Sequence, residues 1–581
     1  MANSEMWRIA LAQTNPSVGD LSGNTVQIRD ALERAGNAGA AIIAFPELAI
    51  TGYPPEDLLL KPGFLAAAHQ AVESLRSAAP ERLIVVGAPW VVDGILYNAA
   101  VVMAGGEILA VVPKHHLPTY GVFDEDRYFG RGDQTVRFHW AGLRFGVTIC
   151  EDLWYPVGPA TSLATAGIDL LLNINGSPFY RGKWRQRQSM LETRASDSGC
   201  YLAYINMVGG QDELIFDGNS LLLDPEARVM ARGRSMEDDL ILADIPVREV
   251  LASWLRDPRR RWSATEEIGS LVSVSDVTID LPQPPVEEPI PCEMAGDAEP
   301  LHGDAEAYAA LVLGVRDYLR KSGFGTALVG LSGGIDSSLT ACVAADALGP
   351  ENVTAIAMPS RYSSDASTED AVQLAENLGI ACHIVPIDQV HQAFRGVLQP
   401  LGQPEEIDLA DENVQARIRG TILMTYSNRF GPIVLTTGNK SEMAVGYTTL
   451  YGDMAGGYAV IKDVPKLDVY RLCRYRNSHS EVIPERVFTK APSAELKPDQ
   501  ADTDSLPPFE ILDPIIERYV ERDQSLAEIV AAGYPEAEVA RVIHLVDRSE
   551  FKRRQAPPGV KLTPRAFGRD RRLPIANRYR G

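Results

Sequence analysis

Residues 326–349 read TALVGLSGGIDSSLTACVAADALG and contain three local signals in a row. An apolar run typical of a strand (326–331) leads into the turn SGGIDSS (332–338), and a run typical of a helix follows. Glycines allow the backbone to turn tightly and to approach an anion closely. The first turn of a helix presents free N–H groups and the positive end of the helix dipole. The stretch therefore predicts a strand, a phosphate-binding loop and a helix.

This loop differs from two better-known phosphate-binding loops. It lacks the Gly-Lys-Ser/Thr ending of a Walker A loop and the GxGxxG pattern of a dinucleotide-binding turn. The hydroxyl groups of Ser332 and Ser337 can add hydrogen-bond donors. Asp336 suits a Mg²⁺ ligand that bridges phosphates, although an aspartate here also suits the first turn of a helix without any metal. We favour the metal.

The segments around the loop continue the alternation of strands and helices. A helical pattern (305–323) precedes it, and a strand (353–359), a helix (369–380) and another strand (381–387) follow. This order indicates an α/β fold with a parallel sheet, which binds ligands at the carboxyl ends of its strands. We therefore predict an α/β domain over residues 301–581, with the polar, Pro-rich segment 477–510 as a loop over its site.

The first half of the chain predicts a separate domain. Strand-like runs such as RIALAQ, RLIVVGAPWVV and YLAYINMVGG alternate with helical patterns, which indicates a layered α/β fold over residues 1–264. Residues 265–300 are rich in proline and acidic residues and have little periodicity, so we predict an inter-domain linker there.

The composition narrows the class of protein. The chain has 581 residues and a formal net charge of −22, which disfavours nucleic-acid binding because that needs a basic surface. No apolar run reaches the ~18 residues that suggest a membrane span, and no signal peptide is recognisable at the N-terminus. The six cysteines form no CxxC pair, which favours a reducing compartment. We therefore expect a cytoplasmic protein without a membrane or nucleic-acid partner.

Three reactive residues end strand-like runs in the first half. Glu47 ends AAIIAFPE, Lys114 ends EILAVVPK and Cys150 ends LRFGVTIC. A Cys thiolate is a good nucleophile toward an amide carbonyl, provided that a base takes its proton and a cation or donors hold the oxyanion. Taken singly, a free cysteine is more often a small buried hydrophobe, and charges at strand ends are more often solvated.

Longer motifs carry a resemblance to a known superfamily. The segments FPELAITGYPPEDLLL (45–60), PKHHLPTYGVFDEDRYF (113–129), ICEDLW (149–154) and INGSPFYRGKWRQR (174–187) resemble the glutaminase branch of the nitrilase/amidase superfamily. The resemblance spans about residues 6–245 and implies an αββα sandwich. It also implies a catalytic triad of the general base Glu47, the oxyanion-side cation Lys114 and the nucleophile Cys150, which forms a thioester.

The same resemblance implies further site residues. Glu125 matches a second glutamate of such sites, and the glutamine contacts fall on Tyr120, Ser177 and Lys183. Lys183 can pair with the carboxylate of glutamine, whereas Tyr120 and Ser177 remain open to the plainer interpretation of a turn residue and a loop hydroxyl. The adjacent pair His115-His116 is interpreted as structural, because neighbours on a strand point to opposite faces.

The second half resembles the PP-loop enzymes, the N-type ATP pyrophosphatases, which adenylate a substrate oxygen. Within them, residues 408–453, 462–477 and 550–574 are similar to NAD⁺ synthetases. The resemblance implies ATP as co-substrate and Mg²⁺ at Asp336 and Glu442. It implies ATP contacts at Gly330, Leu331, Ser332, Gly333, Gly334, Ile335, Asp336, Ser337 and Thr437, and deamido-NAD⁺ contacts at Asn413, Glu442 and Lys552.

A second loop is implied near the acyl-adenylate. Asp463 and Lys466 in KDVPK match a loop that closes near the reacting groups, but Leu467-Asp468 stands where a threonine is expected at one position. The basic C-terminal cluster around Lys552 is consistent with a solvated face or with neutralisation of the negative charge of nucleotide phosphates.

Together the resemblances imply an enzyme that amidates deamido-NAD⁺ in an ATP-dependent reaction. Ammonia released from glutamine supplies the nitrogen, and AMP, diphosphate and glutamate are the other products. We expect a homo-oligomer, with a dimer through the second domain as the minimum, and a water-excluded path for ammonia from the Cys150 site. The alternatives are a PP-loop amidotransferase with another acceptor and a pseudo-enzyme that only binds nucleotides.

Overall fold

The computed structural model describes residues 6–257, 272–286, 290, 298–402, 407–498, 500 and 506–579. The chain divides into two compact units. Unit 1 comprises Met1–Gln211 and Phe216–Leu301, and unit 2 comprises Asp212–Ile215 and His302–Gly581. Among the described residues, none of the helices combines the length and apolar character that crossing a membrane requires.

The strands of unit 1 follow one another along most of its length. In chain order they are β1 (Met6–Gln13), β2 (Ile42–Ala44), β3 (Leu83–Val92), β4 (Ile95–Ala104), β5 (Glu107–Pro113), β6 (Gln134–Trp140), β7 (Leu143–Ile149), β8 (Leu170–Asn175), β9 (Tyr201–Asn206), β10 (Val208–Gln211), β11 (Leu214–Asp217), β12 (Leu221–Leu223), β13 (Val229–Arg232), β14 (Asp239–Pro246) and β15 (Ser273–Ile279). The first two residues of β11 are assigned to unit 2. The helices are α1 (Leu21–Asn37), α2 (Pro62–Glu73), α3 (Pro159–Ala166), α4 (Lys183–Ser198) and α5 (Arg248–Arg256).

These strands form two larger sheets. The first has six strands in the order β14-β1-β2-β3-β4-β5, and the second has seven in the order β13-β12-β9-β8-β7-β6-β15. Strands β10 and β11 form a separate pair. Both large sheets are mixed: β1, β2 and β3 run parallel to one another, as do β7, β8 and β9, and antiparallel strands adjoin both groups.

The alternation of side chains along the strands produces three cores. Trp7 of β1 and Phe145 of β7 share one core between the two sheets. On the outer face of the first sheet, Ala10 packs with Ile28 of α1, and on the outer face of the second sheet Leu163 of α3 packs with the strands. Because successive residues of a strand point to opposite faces, one strand serves two cores. The layers are helix, sheet, sheet and helix, which confirms the αββα fold expected for this half.

The predicted linker over residues 265–300 differs from the structure. Ser273–Ile279 forms β15, which pairs in parallel with β6 as an edge of the second sheet, and unit 1 extends to Leu301. The sequence did not indicate this strand, because the apolar residues Val274 and Val277 lie between polar ones, next to prolines that suggest a loop. Residues 265–271, 287–289 and 291–297 of that segment lie outside the described residues.

Unit 2 has a single large sheet surrounded by helices. Its strands are β16 (Ala327–Leu331), β17 (Val353–Ala357), β18 (Ala381–Ile384), β19 (Ile433–Thr436) and β20 (Tyr458–Ala459). Its helices are α6 (Gly303–Lys321), α7 (Ile335–Leu348), α8 (Asp365–Leu378), α9 (Asp388–Leu398), α10 (Leu409–Phe430), α11 (Lys440–Val445), α12 (Lys466–His479), α13 (Glu485–Thr489), α14 (Phe509–Ile516), α15 (Leu526–Ala531), α16 (Glu536–Arg548) and α17 (Glu550–Arg553).

The topology of this sheet determines where a ligand can bind. All five strands are parallel, in the order β18-β17-β16-β19-β20. After β16 the chain adds β17 and β18 on one side and then returns to place β19 on the other side. In open α/β sheets, ligands bind at such a reversal, beyond the carboxyl ends of the strands. The turn SGGIDSS follows β16 at this point, and the expected parallel sheet is confirmed.

Candidate active sites

The three strand-end residues of unit 1 come together in its interior. Glu47 follows β2, Lys114 directly follows β5, and Cys150 directly follows β7. All three are buried, and the ammonium of Lys114 lies 2.6 Å from Glu47 Oε1. The same ammonium lies 2.8 Å from Oε1 of Glu125, which is also buried. The strands thus deliver a thiol, an ammonium and two carboxylates to one place.

Neighbouring groups hold the two carboxylates in defined orientations. Asn98 Nδ2 donates to Glu47 Oε1 at 2.7 Å, and the backbone N–H of Gly176 donates to Glu47 Oε2 at 2.8 Å. The hydroxyl of Tyr53 donates to Glu125 Oε1 at 2.8 Å. Asn98 and Tyr53 were missed in the sequence, because nothing in their local pattern indicates that distant glutamates need partners.

Burial and charge set the protonation of this cluster. Burial raises the pKa of the Cys150 thiol well above its ordinary value; Glu47 raises it further, and the Lys114 ammonium opposes both. Burial alone would lower the pKa of Lys114, but Glu125 and Glu47 outweigh it and raise that pKa well above normal. Burial also raises the pKa of Glu125 to about 7. These influences favour the protonated form of the Cys150 thiol, and Glu47 is one of the charged groups that act on it.

The backbone at Cys150 has an unusual conformation. Its φ is +43°, a region that a residue with a Cβ rarely adopts and that costs about 1–3 kcal/mol. Cys150 also begins a short 3₁₀ turn, Cys150–Leu153, at the end of β7. Such strain is kept only where the surroundings enforce it, and it commonly marks functional residues.

The expected glutamine contacts lie in different settings. Tyr120 is 57% exposed, and its hydroxyl lies 3.0 Å from both carboxylate oxygens of Glu151. Ser177 is buried, and its backbone N–H donates to Asn206 Oδ1 at 3.1 Å. Lys183 begins α4, and its ammonium donates to the Pro178 carbonyl oxygen at 2.5 Å.

Glu151 is a further candidate that sequence reasoning passed over. It follows Cys150 directly and is buried, and burial raises its pKa while the Tyr120 hydroxyl and the ammonium groups of Lys114 and Lys183 lower it. A carboxylate between a partly exposed tyrosine and the Cys150 segment suits an ammonium group of a ligand. Its position next to Cys150 in ICEDLW was the available signal.

The phosphate-binding loop of unit 2 lines a cavity of about 310 Å³. Ala357–Pro359, Val434–Gly438 and part of α10 also line it, as do Lys490–Leu496 from the segment that was expected to lie over the site. The nine residues expected to contact ATP all face it: Gly330, Leu331, Ser332, Gly333, Gly334, Ile335, Asp336, Ser337 and Thr437.

The loop conformation requires glycine at one position. Gly333 has a φ of +76°, and a Cβ there would lie 2.0 Å from the Ser367 carbonyl oxygen. The hydroxyl groups of Ser332 and Ser337 lie 3.1 Å apart, and Ser332 Oγ accepts from the backbone N–H of Gly334 at 3.2 Å. The hydroxyls thus support the turn at the start of α7, where the free N–H groups of the helix meet the cavity.

Two acidic side chains share one ammonium at the edge of this cavity. Lys466 pairs with Asp336, and its Nζ lies 3.6 Å from Glu442 Oε1. Asn439 Nδ2 donates to Asp336 Oδ1 at 2.8 Å, and Asn439 caps α11 together with Glu442. Among the described residues, no group of three or more His, Cys, Asp or Glu side chains is arranged to hold a metal ion by itself. A cation here would therefore draw its remaining ligands from substrate.

Asn413 and Lys552 meet at a loop that adjoins the cavity. Asn413 Oδ1 accepts from the hydroxyl of Thr449 at 2.8 Å, and the ammonium of Lys552 donates to the carbonyl oxygens of Gly446 and Thr448, each at 2.7 Å. Burial lowers the pKa of Lys552. Neither residue lines the cavity itself, whereas Tyr447 and Asp453 of the same loop do.

Asp463 differs from its expected place near the reacting groups. It is buried, lies 2.9 Å from the ammonium of Lys440, and accepts from the backbone N–H groups of Leu562 and Thr563 at 2.8 and 2.7 Å. It does not line the cavity. Lys466, the other residue expected in this loop, does line the cavity, because the backbone turns into α12 between the two positions. Asp463 thus holds the KDVPK segment against residues 562–563.

Arg419 of α10 is a cavity residue that the sequence did not single out. Its Nε donates to the Met358 carbonyl oxygen at 3.0 Å, and burial lowers its pKa to about 10. Nothing distinguished it from the other charged residues of that helix, because the signal is its orientation toward the cavity.

Comparisons with known proteins match both units. The model of the carbon-nitrogen hydrolase family matches residues 8–253, and the NAD synthase model matches residues 307–556. A curated protein of Aquifex aeolicus named glutamine-dependent NAD(+) synthetase is 45% identical over 578 residues, covering 99% of this chain and 100% of the relative. Its namesake in Thermotoga maritima is 44% identical over 584 residues, covering 99% of each.

A solved structure covers both units as well. The structure of glutamine-dependent NAD⁺ synthetase from Acinetobacter baumannii in complex with ADP has a TM-score of 0.73 and 40% sequence identity, and the match covers 98% of this chain and 99% of that one.

Proposed function

The chain belongs to the family of glutamine-dependent NAD(+) synthetases, and from this premise we propose how its residues divide the reaction. Unit 1 releases ammonia from glutamine, and unit 2 uses ATP and that ammonia to convert deamido-NAD⁺ to NAD⁺. The observation that carries the division is that the Glu47–Lys114–Cys150 cluster and the phosphate-binding cavity lie in different units. None of the relatives reported above has a name that indicates an acceptor other than deamido-NAD⁺.

We assign the glutaminase chemistry to Cys150, Glu47 and Lys114. Cys150 Sγ attacks the carboxamide carbon of glutamine while its proton passes to Glu47, and Lys114 stabilises the oxyanion. Glu47 then returns the proton to the leaving nitrogen, which departs as ammonia and leaves a thioester. Water, deprotonated by Glu47, hydrolyses the thioester to glutamate and restores the thiol. The contacts of Glu47 with Lys114 and Gly176 support these roles.

The head group of glutamine has a matching set of charges. We propose that Lys183 binds its α-carboxylate, that Glu151, held by Tyr120, binds its α-ammonium, and that Ser177 adds a hydrogen bond. Glu125 acts on Lys114 rather than on the substrate, since it shares the ammonium with Glu47. Charge-assisted hydrogen bonds of this kind favour the correct amino acid over neutral amides.

We propose that ATP lies with its phosphates on residues 330–337 and contacts Thr437. The nicotinate carboxylate attacks the α-phosphorus, diphosphate departs, and ammonia then displaces AMP from the acyl-adenylate. Free N–H groups at the start of α7 and the Ser332 and Ser337 hydroxyls stabilise the departing diphosphate. Asn413, Glu442 and Lys552 would hold deamido-NAD⁺ around the loop at residues 446–449.

The donor set at the cavity edge fits Mg²⁺. This ion commonly binds one or two protein carboxylates together with substrate phosphates. Asp336 and Glu442 supply two carboxylates, which share the ammonium of Lys466. Bound there, Mg²⁺ would neutralise charge on the diphosphate group. Lys466 supplies a second positive charge for the phosphates.

We propose a cytoplasmic homo-oligomer that associates through unit 2. Large apolar side chains of β18, α9 and α10 are exposed there, including Ile384 at 53% and Phe430 at 62%. Exposed apolar side chains that lie together commonly mark an interface, and sedimentation velocity would measure the assembly. In the described part of the chain no cysteine forms a disulfide, which suits a reducing compartment.

A single substitution separates the two chemistries. Cys150→Ala should lower glutamine-driven NAD⁺ synthesis by about three orders of magnitude or more because the nucleophile is gone. Synthesis from ammonium salts should persist, measured as NAD⁺, AMP and diphosphate formed from ATP, Mg²⁺ and deamido-NAD⁺. Cys200→Ala, at another buried cysteine of unit 1, is the matched control and should retain both activities. If Cys150→Ala lost both activities while Cys200→Ala kept them, the proposed division of the reaction between the two units would be contradicted.

A further inference from the structure

One buried carboxylate in unit 1 joins the ends of two strands that belong to different sheets. Asp152 is 1% exposed and lies two residues after Cys150. Its Oδ2 accepts from the backbone N–H of Ile149 at 3.1 Å, at the end of β7 in the second sheet. Its Oδ1 accepts from the backbone N–H groups of His115 and His116 at 3.0 and 2.8 Å, just after β5 of the first sheet.

These three donors flank two of the reactive residues. Ile149 directly precedes Cys150, and His115 and His116 directly follow Lys114. Buried backbone N–H groups need partners, and here a single side chain satisfies donors on both segments. Burial raises the pKa of Asp152 to about 6, and the bonds from the backbone N–H groups oppose that rise because they stabilise the carboxylate.

The strained backbone at Cys150 makes such support necessary. The φ of +43° persists only if neighbouring groups hold the turn. Asp152 closes that turn through Ile149 and at the same time fixes the chain beyond Lys114. One side chain thus bonds both to the segment that carries the thiol and to the segment that carries the ammonium.

We propose that Asp152 is a positioning residue of the glutaminase site, which sets the distance and orientation of Lys114 relative to Cys150. The inference rests on the proposed function of that site. Both carboxylate oxygens of Asp152 are bonded to backbone N–H groups, so its loss should impair the chemical step more than the binding of glutamine. A displacement of about 1 Å in a reacting group can lower a rate by about 100-fold.

A buried aspartate at the other end of β7 provides a matched control. Asp169 is 2% exposed and also accepts a backbone N–H, that of Arg144, at 2.9 Å. Its remaining bonds, at 3.0 and 2.7 Å, come from the Arg144 guanidinium. Asp169 thus bonds to the same strand, β7, in a comparable way, but it is bonded to neither segment of the reactive cluster.

The test compares Asp152→Asn with Asp169→Asn in the full-length protein. An asparagine offers one acceptor oxygen, so its NH₂ group must face either Ile149 or the His115–His116 pair and leave that side unbonded. We expect kcat for glutamine hydrolysis to fall about 10- to 100-fold in Asp152→Asn, with KM within about threefold of the wild type. Ammonium-driven NAD⁺ synthesis, which does not use this site, should stay within twofold and reports that the chain is folded.

Asp169→Asn should lower the thermal midpoint yet leave kcat for glutamine within about twofold. If Asp152→Asn does not accumulate as folded protein, Asp152→Ser, which retains one hydroxyl acceptor, should show the same fall in kcat. A kcat within twofold of the wild type in Asp152→Asn or Asp152→Ser would overturn the inference, as would an equal fall in Asp169→Asn. A wild-type protein that hydrolyses no glutamine would instead overturn the proposed function of the site.

Discussion

At the scale of the residue, unit 1 keeps four ionisable groups inside a protein core. Isolated charges are costly there, but one ammonium between two carboxylates offsets much of that cost. Burial disfavours the Lys114 ammonium, but the carboxylates outweigh it and raise the pKa of Lys114, whereas burial raises the pKa of Glu125 and of the Cys150 thiol and favours their protonated forms. In the proposed reaction, the thiol proton passes to Glu47 once a substrate carbonyl arrives.

The titration of Glu125 yields a prediction about pH. Its pKa is raised by burial to about 7 from the ordinary value of 4.5, so the folded state binds this proton more tightly than the unfolded state. The contribution of the group to stability is therefore present at low pH and is lost as pH rises from about 4.5 to about 7. Glu125→Gln should flatten the dependence of unfolding free energy on pH across that window, measured by urea unfolding.

The same variant should alter catalysis only in unit 1. The pH profile of glutamine hydrolysis should lose an inflection near pH 7, and kcat should fall on the order of tenfold because Lys114 loses a charged partner. The pH profile of ammonium-driven synthesis serves as the control. An unchanged inflection in Glu125→Gln would assign it to another group.

At the scale of the element, β16, the glycine turn and α7 form one functional piece of unit 2. The strand carries the turn to the point where the sheet order reverses, and the helix supplies N–H groups and its dipole. The turn fits only because residue 333 has no Cβ, since α8 presents the Ser367 carbonyl oxygen at that place.

Replacing Gly333 by alanine should therefore abolish the use of ATP. The Cβ would meet a backbone oxygen at 2.0 Å, so the loop must move, and ammonium-driven synthesis should fall about 100-fold or more while glutamine hydrolysis remains. Gly323→Ala is a matched control, since Gly323 also has a positive φ, of +80°, but nothing lies within 4 Å of its Cβ position. That variant should lose only stability, about 1 kcal/mol. Normal synthesis in Gly333→Ala would exclude this loop from phosphate binding.

At the scale of the whole molecule, one chain carries a source of ammonia and a reaction that consumes it. In water at neutral pH most ammonia is protonated and unreactive, and an acyl-adenylate is exposed to hydrolysis. Exclusion of water from the transfer would remove both losses. The fusion of the two units in one chain is the reason to expect such a transfer.

An isotope experiment tests the transfer directly. With unlabelled glutamine and ¹⁵N-labelled ammonium in the medium, NAD⁺ should take less than about a tenth of its new nitrogen from the medium, as measured by mass spectrometry. Cys150→Ala should take all of it from the medium and provides the reference. If the label in the wild-type product follows the ammonium concentration, ammonia mixes freely with solvent before it reacts.

Much of the fold, and the positions of several candidate site residues, could be predicted from local sequence. Strand-ending runs predicted the positions of Glu47, Lys114 and Cys150, and SGGIDSS after an apolar run predicted the loop between β16 and α7, because periodicity and turn chemistry are properties of neighbouring residues. The longer motifs predicted the αββα layers and the family, both of which are confirmed. The roles of individual site residues stay predictions.

The tertiary structure decided what depends on residues far apart in the chain. It placed Asp463 against Lys440 instead of the cavity, Lys466 between Asp336 and Glu442, and Asp152 across two sheets. It also paired β15, within the expected linker, with β6. Strand partners and the bonds of buried charges are settled by packing between distant segments, and a local pattern of polar and apolar residues does not encode them.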